Sequence, residues 1–107
     1  MKYITILITT PNQKVSDVII EQLLDNKIVS CVNIIPAIKS LYWWQGKICK
    51  SKEQLLIFKS IKSKFKKIVK IVRKNHPYEV PEIVSFDISE GNPEYLKWIL
   101  NTVKSRR

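Results

Sequence analysis

The stretch SLYWWQGKICKSKEQLLIFK, residues 40–59, predicts a long β-hairpin at the centre of the chain. Residues 40–44 favour extended structure, and Gln45-Gly46 is a turn signal. Residues 47–48 and 54–59 form the returning strand. A hairpin of this length exceeds the compact body of a small domain. Its aromatic run, Tyr42 to Trp44, therefore predicts an extension that reaches a neighbouring subunit.

The segments on either side of the hairpin read as alternating strands and helices. Residues 3–9 form a buried strand, followed by a turn at residues 10–12 and a helix that ends near Asn26. A strand over residues 30–35 stops at Pro36, which cannot donate to a central ladder. Three elements follow the hairpin: a helix over residues 61–74, a strand over residues 82–88 and a terminal helix. The terminal helix starts at Gly91-Asn92-Pro93-Glu94. Its apolar positions are Tyr95, Trp98, Ile99 and Val103.

This β-α-β-β-α-β-α order predicts an α+β fold, the ferredoxin-like sandwich built from two right-handed β-α-β units. The chain fits a single domain spanning residues 1–107. Helices cover one face of such a sheet, whereas the other face lacks a cover within the chain. We therefore expect the chain to bury this second face by oligomerisation.

The charge is unevenly distributed along the chain. The net charge is +10, and residues 54–78 contain eight Lys or Arg and no acid. Phe65, Ile68, Val69 and Val72 recur at helical spacing, so the lysines occupy the opposite, outward face of that helix. Because a lysine excess carries no chemistry for reading bases, the pattern predicts a solvated basic face and no specific nucleic-acid partner.

Composition argues against several other classes of protein. No stretch approaches the ~20 uninterrupted apolar residues of a membrane span, and no cleavage site follows the opening residues. We therefore expect a cytoplasmic protein without a membrane partner. The two cysteines, Cys31 and Cys49, are too few for a disulfide scaffold and lack the spacing of a zinc site. They are predicted to be buried, unreactive thiols.

The only histidine, His76, lies in the stretch RKNHPYEVPE, residues 73–82. Pro77 forces the residues before it towards extended geometry and ends the basic helix there. His76 is therefore either a metal ligand or a polar residue where the helix stops, with its imidazole near the last carbonyls. The chain offers no Ser-His-acid set, phosphate loop or paired carboxylates, so the sequence does not indicate an enzyme.

Four blocks of sequence together resemble the CutA family, the divalent-cation-tolerance proteins. The blocks are CVNIIP (31–36), SLYWWQGK (40–47), NHPYEVPEIV (75–84) and GNPEYLKWI (91–99). The resemblance implies a ferredoxin-like subunit in a tight homotrimer, similar in architecture to the nitrogen-regulatory PII proteins, with the long hairpin packed across the subunit interface. It also implies a role in divalent-cation tolerance, with binding of copper or other divalent metal ions.

The copper ligands proposed for bacterial members of that family are only partly present. Those members use a cysteine on the first strand and a pair of adjacent histidines. This chain has Ile8 at the cysteine position and Asn75 at the first histidine, so only His76 remains. The resemblance therefore implies His76 as the metal ligand, no required cofactor, and copper or another divalent cation as the ion it could bind.

A PII-like small-ligand sensor without metal dependence is the alternative function. Clefts between subunits would hold an anion against lysine counter-charges and aromatic walls. The predicted cleft residues are Tyr42, Trp44, Lys47, Lys59, Tyr78 and Glu82. The same aromatic residues are also compatible with packing at a subunit interface. An RNA-binding function has less support, because no stretch matches the signature of RRM domains.

Overall fold

The computed structural model describes residues 2–104, which form four strands and three α-helices. In chain order these are β1 (Tyr3–Thr10), α1 (Gln13–Asp25), β2 (Cys31–Trp44), β3 (Lys47–Ile61), α2 (Phe65–Asn75), β4 (Ile83–Asp87) and α3 (Pro93–Lys104). The strands form one sheet in the order β2-β3-β1-β4, and each neighbouring pair is antiparallel. This arrangement confirms the predicted ferredoxin-like sandwich.

The main core lies between the sheet and the helices α1 and α2. Ile4, Ile6 and Ile8 of β1 alternate with less buried residues, so one side of the strand faces the helices. Leu56 and Phe58 of β3 stand beside Ile8 and Ile6 in the ladder and are equally buried. The helices contribute an apolar stripe to the same core, namely Ile19, Leu23, Ile68 and Val72.

The helix α3 packs on the opposite face of the sheet, which corrects the expectation that this face has no cover within the chain. Ile99 and Val103 pack with Ile61 in a second apolar cluster, and Tyr3 lies against it. Ile61 pairs with Tyr3 in the ladder, one position out of phase with the residues of the main core. The cover is limited to one end of the face, and apolar residues such as Phe86 remain exposed beyond it.

Pro36 does not end β2, contrary to the sequence-based expectation. The strand runs on from Cys31 to Trp44 because β2 lies at the edge of the sheet and shifts its register between Ile35 and Ile38. A proline at a bulge of an edge strand removes no ladder hydrogen bond. The predicted returning strand is likewise continuous and extends to Ile61, so α2 begins later than expected, at Phe65.

The hairpin of β2 and β3 projects beyond the rest of the sheet, as predicted. β1 ends opposite Gln54, so the residues of β3 before Gln54 pair only with β2 in the described part of the chain. We call this projection, residues 38–53, the arm. Gln45 and Gly46 at its tip have φ values of 49° and 81°. Two left-handed residues in a two-residue loop match the twist of the flanking strands.

Two helix starts follow the sequence prediction closely. The side chain of Asn12 accepts a hydrogen bond from the backbone N–H of Val15 (2.9 Å) at the start of α1. The side chain of Asn92 accepts one from the N–H of Glu94 (3.1 Å), and Pro93 is the first residue of α3. Each cap satisfies a backbone donor that has no partner within its helix.

Candidate functional site

The main concave site lies where the arm leaves the body of the subunit, opposite the segment that joins α2 to β4. We call that segment, residues 76–82, the linker. The cleft has a volume of about 810 Å³. Its lining comes from β1, the arm and the linker: Thr9, Lys39, Ser40, Leu41, Tyr42, Trp43, Trp44, Glu53, Tyr78, Glu79, Val80 and Glu82. This volume lies within the range of ~300–1,000 Å³ that is usual for small-ligand sites.

His76 fixes the linker to the end of β1. The residue is extended (φ −100°, ψ 133°), as the following Pro77 requires, and only 8 % exposed. Its Nδ1 accepts a hydrogen bond from the N–H of Tyr78 (3.2 Å), so Nε2 carries the proton and donates to the carbonyl of Thr9 (2.8 Å). The ring also packs against Tyr78, with ring centroids 4.6 Å apart.

These contacts give His76 a structural role at the helix end, although its partner is a strand carbonyl rather than the last carbonyls of α2. A metal needs a free lone pair on an imidazole nitrogen, and here Nδ1 uses its lone pair while Nε2 is protonated. No group of three His, Cys, Asp or Glu residues within residues 2–104 is placed to hold a metal ion. In this arrangement the described residues do not form a preformed metal site.

The other two family ligand positions also have structural roles. Ile8 is fully buried in the main core. The side-chain amide of Asn75 donates to the carbonyl of Ile71 (2.8 Å) and to the side chain of Gln22 (3.1 Å).

Glu53 lies at the base of the cleft and is only 7 % exposed. The Tyr78 hydroxyl donates a hydrogen bond to its Oε2 (2.8 Å). Burial raises the pKa of Tyr78 above its usual range, and the hydrogen bond and the negative charge of Glu53 raise that pKa further. Tyr78 is therefore a neutral phenol that donates to a carboxylate.

The structure brings four of the six predicted cleft residues together within one subunit. Tyr42, Trp44, Tyr78 and Glu82 line the cleft. The Tyr42 hydroxyl also shares a hydrogen bond with the Ser51 hydroxyl across the arm (2.7 Å).

The two predicted lysines lie elsewhere in the subunit. Lys47 follows the turn at the tip of the arm, and Lys59 pairs with Thr5 and Cys31 in the body of the sheet. The cleft contains the acids Glu53, Glu79 and Glu82, with Lys39 as a basic side chain in its lining. Within one subunit the lining therefore favours a cation over the predicted anion.

Sequence reasoning did not single out Glu53. The available signal was an acid on the same face of the returning strand as Leu55 and Ile57, where alternation predicts an apolar residue. Only the folded chain shows that Tyr78, far away in sequence, reaches this carboxylate.

The cysteines are less buried than expected. Cys31 and Cys49 are free thiols and partly exposed. The Sγ atom of Cys31 lies 3.6 Å from the hydroxyl of Tyr95, and this contact, together with burial, raises the pKa of Tyr95 to about 12.

The basic face of α2 is outward as predicted, because Lys66, Lys70 and Lys74 are exposed.

Comparison with known proteins gives matches along nearly the whole chain. The family model described as CutA1 divalent ion tolerance protein matches residues 4–102. The divalent-cation tolerance protein CutA of Thermus thermophilus is 43 % identical over 94 residues, covering 88 % of this chain and 91 % of that protein. The chloroplastic protein CutA 1 of rice is 37 % identical over 101 residues, covering 94 % of this chain; the chain spans only 57 % of the length of that relative.

Solved structures show the same subunit architecture. The structure of the periplasmic divalent cation tolerance protein CutA from Archaeoglobus fulgidus superposes with a TM-score of 0.91 at 38 % identity, covering 94 % of this chain and 98 % of that one.

Proposed function

The chain belongs to the CutA1 family of divalent ion tolerance proteins, and we propose that it serves divalent-cation tolerance as a homotrimer. The observation that supports association of subunits is the exposed apolar surface of the arm, and the number of three subunits follows the resemblance to the family. Trp43 is 72 % exposed, Ile48 58 % and Leu41 57 %. Apolar side chains of this size, clustered on one projection, are typical of a surface that packs against another protein.

The uncovered part of the sheet adds a second apolar surface. Val84 and Phe86 of β4 lie beyond the end covered by α3, and both are exposed. Trp98 of α3 is exposed as well. A second and a third copy of the chain would bury these residues together with the arm, whereas a monomer would leave both surfaces in water.

Light scattering of the purified protein at micromolar concentration tests this assembly. We expect a mass three times that of the 12.6 kDa subunit. A monomer mass would reject the proposal, and a dimer mass would mean that the arm is buried in another way.

For the metal we propose weak Cu(II) binding that depends on His76, with no metal required for folding. To coordinate an ion, the imidazole would have to give up one of its two hydrogen bonds, and this cost lowers the affinity. Calorimetric titration of the wild type and of His76→Ala tests this, with circular dichroism as the control for folding. Tight binding that survives the substitution would place the site elsewhere, with Cys31 or Cys49 as the next ligands to test.

A PII-like small-ligand sensor is the second function, and the cleft of about 810 Å³ is the observation that favours it. Trp43 and Trp44 line this cleft, so ligand binding should change the tryptophan fluorescence. Titration with nucleotides tests the anionic ligand that PII-like clefts would hold. The carboxylates of Glu53, Glu79 and Glu82 oppose such a ligand.

We further propose that the protein is not an enzyme, has no specific nucleic-acid partner and acts in the cytoplasm. No helix of the described residues has the length and apolar character needed to cross a bilayer. Relatives of this chain include a chloroplastic and a periplasmic protein. Fractionation of the source cells would locate the protein.

A further inference from the structure

We propose that the basic face of α2 binds the phosphate backbone of a nucleic acid, without preference for base sequence. The face consists of five exposed side chains of this helix: Lys66, Lys67, Lys70, Arg73 and Lys74. This inference goes beyond divalent-cation tolerance, and it depends neither on a metal ion nor on the number of subunits. The contact reads no bases, so it does not make any one sequence a specific partner.

The first observation is the concentration of charge on one side of the helix. Ile68 and Val72 are the buried positions of α2, and the five basic side chains follow the opposite, exposed side. At a rise of 1.5 Å per residue, Lys66 and Lys74 are about 12 Å apart along the helix, which gives one charge per ~3 Å. One strand of a duplex carries one phosphate per ~3.4 Å. The positive charge on the face therefore matches the density of phosphates along a strand.

The second observation is that the chain does not neutralise this charge. The ion pair found among residues 2–104 joins Lys2 to Asp87, and no carboxylate of the described residues pairs with the basic face. Residues 54–78 contain no acid at all. Like charges one helical turn apart, such as Lys66 and Lys70, repel each other. A bound polyanion would relieve this repulsion and release its own counterions into solution.

The third observation is that α2 carries positive charge where it weakens the helix. Lys66 and Lys67 lie in the first turn, which contains no acid. The N–H groups at a helix start form its positive end, so cations there are unfavourable. α3 has the opposite arrangement, with Glu94 in its first turn. Helix stability accounts for Glu94 but not for the two lysines, whereas a phosphate at the start of α2 would be stabilised by the lysines and by the helix end.

The position of α2 leaves its basic face accessible. α2 packs on one side of the sheet and α3 on the other. The two surfaces proposed to associate between subunits are the arm and the part of the sheet beyond α3, and none of the five basic residues belongs to either of them. The face is therefore open to solvent in one subunit and in the proposed homotrimer.

The neighbouring helix favours a linear polyanion over a membrane surface. α1 packs beside α2, and the side chains of Gln22 and Asn75 join the two helices by hydrogen bonds. Asp17 and Glu21 of α1 are acidic and exposed. A flat anionic bilayer laid on the two helices would meet these acids as well, whereas a strand that follows α2 meets only the basic side chains.

The face offers charges but no groups that read or stack bases. Phe65, the aromatic residue of α2, packs against the main core. Lysine and arginine side chains reach the phosphates of any sequence. The affinity should therefore be independent of sequence, and its logarithm should fall with the logarithm of the salt concentration with a slope of about −4 for five phosphate contacts.

Fluorescence anisotropy with two labelled DNA duplexes of equal length and unrelated sequence tests this between about 50 and 200 mM KCl. Both duplexes should bind equally, with the slope given above. Combining Lys66→Gln with Lys70→Gln should reduce the size of the slope by about 2 and weaken binding about tenfold or more. Combining Lys14→Gln with Lys97→Gln removes the same charge from exposed positions of α1 and α3 and should leave the slope unchanged.

A second variant separates binding from folding. Lys67→Glu places an acid in the first turn of α2, where it complements the helix dipole. The melting temperature should rise while the affinity for both duplexes falls, and the mass from light scattering should stay that of the wild type. A fall in the melting temperature would mean that Lys67 serves the fold and would contradict the inference.

Two further outcomes would overturn the inference. If the two double variants weaken binding equally, the net charge of the chain attracts the DNA and the basic face has no special part. The other measurement uses vesicles of phosphatidylserine and phosphatidylcholine, which are sedimented with the protein. Retention on these vesicles without binding to either duplex would assign the face to a membrane surface, and binding to neither would leave it a solvated surface.

Discussion

Strand β3 runs through two regions that use the same kinds of apolar residue in opposite ways. At its carboxyl-terminal end, Phe58 is completely buried between the sheet and the helices. Ten positions earlier, Ile48 in the arm is more than half exposed, and it pairs with the still more exposed Trp43. The difference shows that apolar content alone does not decide burial. The residues of the main core pack against each other within one chain, whereas the arm has strand partners but no layer packed on it among residues 2–104.

The two regions should therefore respond differently to mutation and to protein concentration. The stability of the main core comes from contacts within one chain, so it should not depend on protein concentration. Stability gained by covering the arm depends on association, so it should rise with subunit concentration. Substitutions in the main core, in the arm and at their junction test this division.

Phe58→Ala should have the largest effect, because it empties a fully buried site in the middle of the main core. A cavity of this kind costs about 3–5 kcal/mol of the free energy of unfolding. Chemical denaturation of the variant and the wild type measures the loss. A cost below about 1 kcal/mol would show that the core can repack around the missing ring, and that it is less rigid than its burial indicates.

Trp44→Ala should weaken the assembly by about 2 kcal/mol or more, because large aromatic residues dominate many interfaces. The mass from light scattering should fall on dilution at concentrations where the wild type remains assembled. Val18→Ala changes an exposed apolar residue of α1, away from the arm, and serves as the control. Unchanged mass and melting temperature for Trp44→Ala would place this residue outside the interface.

His76→Ala tests the junction between the two regions. The substitution leaves the Thr9 carbonyl and the Tyr78 N–H without their partners, at a cost on the order of 1–2 kcal/mol. Faster hydrogen exchange at the Tyr78 amide, with the main core still protected, would confine the effect to the linker. Uniform loss of protection would instead make His76 part of the cooperative core.

Lys27→Gly should produce the smallest effect and raise stability by up to about 1 kcal/mol. Lys27 has a φ of 54° just after α1, in the left-handed region that glycine adopts without strain. Lys14→Gly, in the first turn of α1, is the control and should lower stability by up to about 1 kcal/mol, since glycine is unfavourable in a helix. A loss of stability in Lys27→Gly would mean that its side chain contributes more than its backbone costs.

Several features were predictable because they depend on neighbours in sequence. The caps Asn12 and Asn92 act within two or three residues of their own positions. The alternation in β1 and the glycine at the tip of the arm follow from local backbone geometry. The end of α2 before Pro77 also follows from local backbone geometry.

Other features depend on which residues the sheet brings together. Pro36 was expected to end a strand, and only its place at a bulge in an edge strand explains why β2 continues. The side of the sheet that α3 covers is set by the packing of Ile99 on Ile61, which no local pattern specifies. Glu53 gains its role from Tyr78, which lies 25 positions away in the chain.

The family, the order of strands and helices, and the projecting hairpin could all be predicted from the sequence, because they follow from motifs and from local periodicity. The roles of the unusual side chains became clear only in the folded chain. The tertiary structure assigned both ring nitrogens of His76 to hydrogen bonds within the chain, and it placed the Glu53 carboxylate in a cleft with aromatic walls. The physical reason is that a side chain's chemistry depends on its burial and its hydrogen-bond partners, and those partners come from residues distant in sequence.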